Sequence, residues 1–125
     1  MKTLCSLLLI TLLFIACKKD DDSTAGTGIA GKWKSTETLF DIGNGTTNWS
    51  PIKDSESTEL QLLSNGNIKG DANYQSYYVK DSLTVEFRTK DNKIIPFRYQ
   101  VTESNLILGA SGCIEACLIK YKRLK

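Results

Sequence analysis

Leu83-Thr84-Val85-Glu86-Phe87-Arg88-Thr89 decides the fold. Apolar residues at 83, 85 and 87 alternate with polar ones at 84, 86 and 88. That is the two-residue period of a strand with one face in a core and the other in water. The turn Lys90-Asp91-Asn92-Lys93 follows, and the chain returns through Ile94 to Val101 with Ile95, Phe97, Tyr99 and Val101 on one side. Pro96, on the other side, has no N–H to give a ladder, which predicts a position near a sheet edge or a bulge.

The same period extends outward in both directions. Upstream, residues 58–63 alternate with Leu60 and Leu62 inward. Ser64-Asn65-Gly66-Asn67 is the strongest short turn, because Asn-Gly readily takes the positive φ of a tight hairpin. Ile68 starts the return, and residues 77–80 form a short strand. Downstream, residues 102–105 turn the chain into Leu106-Ile107-Leu108, and residues 117–124 form the last strand with Ile119 and Tyr121 inward. The first strand covers residues 32–41, with Trp33 and Leu39 on one face and Ser35 and Glu37 between them. A loop rich in Gly and Asn then leads to Trp49-Ser50-Pro51, with Pro51 against a central strand and Trp49 either closing one end of the domain or exposed for a partner. About eight short strands without a sustained 3.6-residue stripe predict an all-β sandwich or barrel.

The chain of 125 residues suits one domain, and 41% hydrophobic with 24% charged residues is an ordinary globular balance. A formal charge of +2 is too small to imply nucleic acid as a partner. Histidine is absent, which removes Ser-His-Asp and Cys-His catalysis and the usual imidazole-ligated zinc site. No nucleophile stands with a base, so the reading is not an enzyme, and no cofactor or metal is expected.

The N-terminal stretch reads differently from the rest. Met1-Lys2 supplies a positive start, and Leu4 to Ala16 is apolar apart from Cys5, Ser6 and Thr11. As a helix it reaches roughly 20 Å, short of the about 30 Å of a bilayer core. These are the proportions of a signal peptide. Leu13-Phe14-Ile15-Ala16-Cys17 resembles the lipobox of bacterial lipoproteins. The resemblance implies cleavage before Cys17, a diacylglyceryl group on its sulfur and acylation of the new amine, and so a membrane partner. Lys18-Lys19-Asp20-Asp21-Asp22 is similar to the acidic export signal that places lipoproteins on the outer face of the outer membrane in one group of Gram-negative bacteria. The expected organisation is a leader over residues 1–16, a lipid-anchored flexible tether over 17–28 and a folded domain over 29–125.

Gly31-Lys32-Trp33 opening the first strand resembles the Gly-x-Trp signature of lipocalins. The order of hairpins, the Ser-Asn-Gly-Asn turn and the terminal Tyr121-Lys122-Arg123 are similar to the compact lipocalin-like domain of bacterial lipoproteins. The resemblance implies a small eight-stranded antiparallel barrel that binds a small, partly apolar ligand. It also implies that Arg123 lies across Trp33 and closes the barrel base, a cation–π contact worth about 0.5–2 kcal/mol.

Three further groups are candidates. Cys113-Ile114-Glu115-Ala116-Cys117 would span about 13 Å if extended, whereas a disulfide needs α-carbons within roughly 7 Å. A bridge therefore requires a turn at 114–116. A local staple is the first reading, with redox or metal chemistry as alternatives. Glu37 shares a strand face with Trp33, so it is the best polar anchor for a ligand if it points inward; a bulge would instead put it outside. Tyr77, with Tyr74 and Tyr78, is a candidate ligand contact against core and rim packing. Two functions follow: a ligand-binding barrel, or a packed module that meets a cell-surface protein through its outer face. A cavity below about 300 Å³ would favour the second.

Overall fold

The computed structural model describes residues 28–40, 48–113 and 117–125. The leader, Cys17 and the acidic run lie outside the described residues, as do the loop at 41–47 and the turn at 114–116. The strands are β1 Gly31–Phe40, β2 Ser50–Pro51, β3 Glu59–Leu62, β4 Ile68–Lys69, β5 Tyr74–Val79, β6 Thr84–Thr89, β7 Ile94–Val101, β8 Asn105–Ala110 and β9 Cys117–Leu124. No helix occurs among the described residues.

The fold is an up-and-down antiparallel barrel of eight strands, with the two-residue β2 as an extra pairing on β1. Hydrogen-bonded order runs β4-β3-β1-β9-β8-β7-β6-β5. Each strand thus lies beside its sequence neighbour, and the last pairs with the first. The one incomplete seam lies between β4 and β5, where Asn67 bridges Ser76 and the Tyr77 N–H donates to the Gly66 carbonyl at 2.8 Å. Closing a sheet this way removes the exposed edges that would template pairing with other chains.

Alternation fills the interior as expected at most positions. Trp33, Leu60, Leu62, Val85, Phe87, Leu106, Leu108 and Tyr121 form one buried cluster with Ile29 and Ile68. Each such apolar side chain contributes about 1.5–3 kcal/mol when taken fully out of water. Ile95 and Phe97 face inward but are only half-buried.

Three expectations are corrected. Leu83 is not in the core: it is 66% exposed and precedes β6. Asp81 Oδ1 accepts from the Leu83 and Thr84 N–H groups, and this Asx turn swings residue 83 away from the interior. Leu39 does not share a face with Trp33. The register of β1 against β9 shifts between Ser35 and Glu37, so Glu37 stands opposite Lys120 and Leu39 opposite Leu118. Residues directly opposite on antiparallel strands share a face, and Lys120 and Leu118 lie on the face opposite to the inward Ile119 and Tyr121. Glu37 and Leu39 therefore face outward, and Leu39, although 6% exposed, stands outside the central cluster.

The third correction concerns Pro96. It sits in a strand paired on both sides without a bulge. Its carbonyl accepts from Ser111 Oγ at 2.6 Å, just past the end of β8. A residue's N and O face the same neighbouring strand, so the missing N–H points where β8 has already ended. The edge is local to one residue rather than to the strand.

The bulge has a local cause. β1 pairs with β3 as far as Lys34 and with β2 from Glu37. Between them Ser35 exchanges bonds with the connecting segment: its N–H reaches the Thr58 carbonyl at 2.9 Å, and its Oγ accepts the Thr58 N–H at 2.8 Å. The extra residue falls where the strand changes partner.

Candidate functional site

The barrel has a sealed base and an opposite mouth. At the base, Trp33 has no exposed surface, and its Nε1–H donates to the Ile29 carbonyl at 2.9 Å. Arg123 lies over its ring, with the guanidinium carbon 4.1 Å from the ring centroid, inside the 6 Å of a cation–π contact. The same guanidinium donates to the carbonyls of Glu103 at 2.7 Å, Ala30 at 2.9 Å and Gly28 at 3.0 Å. Gly31 makes this possible. Its φ is +152°, and a Cβ there would stand 2.5 Å from Arg123 Nη1. The glycine of the Gly-x-Trp stretch is therefore a space requirement for the arginine lid.

Toward the mouth the core does not fill the barrel. A partly open cavity of about 290 Å³ lies between the inward faces of β1, β3 and β5 to β9, with apolar walls from Leu60, Phe87, Phe97, Leu108 and Ile119. Phe40, 61% exposed, and Cys117 stand at its rim. The volume is just under 300 Å³, at the lower limit of ordinary ligand pockets. Phe87 and Phe97 meet at 5.1 Å between centroids, and Tyr74 stands edge-on to both, at 5.1 and 6.0 Å.

Among the described residues that line the cavity, the polar ones are few: Asp71, Tyr74 and Tyr121. Asp71 Oδ1 accepts from the Asn73 N–H at 2.7 Å and the Tyr74 N–H at 3.1 Å, fixing the carboxylate at the entry to β5. Burial pushes the Tyr121 phenol up to about 12, with the Asp71 charge and Tyr74 adding to it. Burial, then Asp71, raises Tyr74 as well. Both phenols remain protonated donors at neutral pH.

The residues singled out from sequence are placed as follows. Trp33 and Arg123 form the base. Cys113 and Cys117 stand at disulfide distance with α-carbons 6.0 Å apart, inside the roughly 7 Å a bridge requires. Glu37 lies outside the barrel, in an ion pair with Lys120, whose Nζ sits 4.2 Å from the Trp49 ring centroid. Trp49 thus lies against the outer wall and does not close an end. The Tyr77 hydroxyl donates to the Leu63 carbonyl at 2.6 Å, tying β5 to the β3–β4 turn across the open seam. Neither Glu37 nor Tyr77 lines the mouth cavity.

Phe40, Asp71 and Ala110 are cavity residues that the sequence reading does not single out, and Phe87 and Phe97 are read there only as core-facing. Phe87 and Phe97 carry the same period-two signal as the core, so periodicity alone does not separate cavity wall from packed core. Among the described residues no group of three or more His, Cys, Asp or Glu side chains could hold a metal ion. Comparison with protein-family models, with curated proteins and with solved structures returned no match.

Proposed function

We propose that this chain is an envelope lipoprotein, anchored by acyl chains on Cys17, whose lipocalin-like barrel binds one small, partly apolar molecule without transforming it. The observation that carries the reading is the cavity: about 290 Å³ of mainly apolar space in a barrel sealed at one end and partly open at the other. A fully packed interaction module would spend that volume on side chains, as the base does around Trp33. The short strands keep the cavity small, which restricts the occupant to a compact molecule. The lipobox and the acidic run after Cys17 support an outer-membrane, cell-surface location for the domain.

Placing a large side chain at the rim tests the reading. Ala110→Trp fills the mouth from an exposed position on β8 and leaves the base untouched. Ligand carried through purification from cells, read by native mass spectrometry, should be present on the parent chain and absent from this variant. Equal occupancy of both would move the binding site elsewhere.

By size alone the cavity favours a second reading, since it falls just under 300 Å³. In that reading the outer face meets a surface protein through the groove beside Trp49, where Leu83, Arg98, Ile107 and Leu118 line about 480 Å³. An empty parent chain in the same experiment would support it.

A further inference from the structure

The mouth cavity carries a charge that no described residue answers. Among the described residues, Asp71 is the sole side chain lining it that is charged at neutral pH, and no described Lys or Arg contributes to its walls. Among the described residues no cation pairs with Asp71. Its Oδ1 is engaged by two backbone N–H groups, which hold the carboxylate in place and leave its second oxygen without a protein donor among the described residues. The same cavity is lined by Tyr74, Phe87 and Phe97, which meet one another in edge-to-face and tilted contact. Aromatic faces carry negative potential and attract cations.

These observations rank possible occupants by charge. An anion would meet a carboxylate and negative ring faces in a site with no cation among the described residues. A neutral apolar molecule would exclude water from Asp71 without replacing its hydrogen bonds, which is costly for a carboxylate. An ammonium group supplies both donors and the opposite charge, while its hydrocarbon body fills the walls formed by Leu60, Leu108 and Ile119.

We infer that the barrel mouth is a site for a small organic ammonium, held through its charge by Asp71 and through its apolar body by the aromatic and aliphatic walls. This inference rests on the proposal that the cavity binds a small molecule. It adds the chemical class.

Matched single-ring probes test it: phenethylammonium, phenethyl alcohol and hydrocinnamate, titrated calorimetrically into the purified full chain. The ammonium should bind at least about tenfold more tightly than the alcohol, a gap of about 1.4 kcal/mol, with hydrocinnamate weakest. Asp71→Asn keeps an oxygen to accept the Asn73 and Tyr74 N–H groups. It should lower ammonium affinity by about the same tenfold factor and leave the alcohol unchanged. Alcohol or hydrocinnamate binding as tightly as the ammonium would overturn the charge preference while leaving the cavity as a binding site. Failure of all three probes to bind would overturn the binding proposal and this inference with it. If Asp71→Asn does not fold, the order of the three probes on the parent chain decides.

Discussion

Arg123 organises the base through four contacts at once: one indole face and three backbone carbonyls. A planar guanidinium does this and an ammonium does not. Arg123→Met should therefore destabilise the fold by about 2–4 kcal/mol in urea titration, and Arg123→Lys should recover only a small part. Gly31→Ala forces a Cβ into that guanidinium and an L residue into a left-handed φ, so it should lose about 1–3 kcal/mol by the same measurement. Tyr121 supplies a pH test. Its folded value of about 12 lies above the ordinary 10, so folding favours the protonated phenol. Its contribution is complete below pH 10 and is lost as pH rises through 12, amounting to about 2–3 kcal/mol. Tyr121→Phe should flatten that alkaline loss relative to the parent chain; an unchanged alkaline profile would place Tyr121 in a wetter setting.

Among the elements, the β4–β5 seam and the β1 bulge govern what is built on the barrel. Tyr77 bridges the seam through one hydroxyl, so Tyr77→Phe should cost about 0.5–1.5 kcal/mol and speed amide exchange at Tyr77 and Gly66. Probe binding at the mouth should stay unchanged. The bulge sends Glu37 outside, where its pair with Lys120 is partly exposed. A double-mutant cycle of Glu37→Gln and Lys120→Met should return a coupling under about 1 kcal/mol. These two residues also show how far the sequence could be read. The core-facing positions and the last strand follow from period two, and the Trp33–Arg123 contact is what the resemblance to the Gly-x-Trp signature implies; its steric reason at Gly31 is visible only in the structure. The placement of Glu37 does not follow, because strict alternation assumes an unbroken register, and the bulge arises from a change of partner that only the three-dimensional pairing contains. Leu83 fails for a similar reason: the Asx turn at Asp81 ends the alternation one residue early.

At the scale of the whole molecule, the all-β class was legible because eight half-buried strands must cover their apolar faces as a sandwich or a barrel, and the resemblance to lipocalins pointed to the barrel. The cavity was not legible. Whether inward side chains meet across a barrel depends on strand tilt and stagger as much as on residue size, and Asp71 lies in a turn outside any periodic pattern. The anchor is argued from the sequence alone, and Cys17→Ala should shift the chain from the membrane fraction to the soluble one; retention in the membrane would remove the lipid. The binding role and the anchor meet in one measurement, native mass spectrometry of the chain purified from its own cells. The account predicts a polypeptide that begins at Cys17, carries the added mass of acyl chains and holds one small molecule that Ala110→Trp excludes. A chain of bare polypeptide mass with an empty barrel would contradict it.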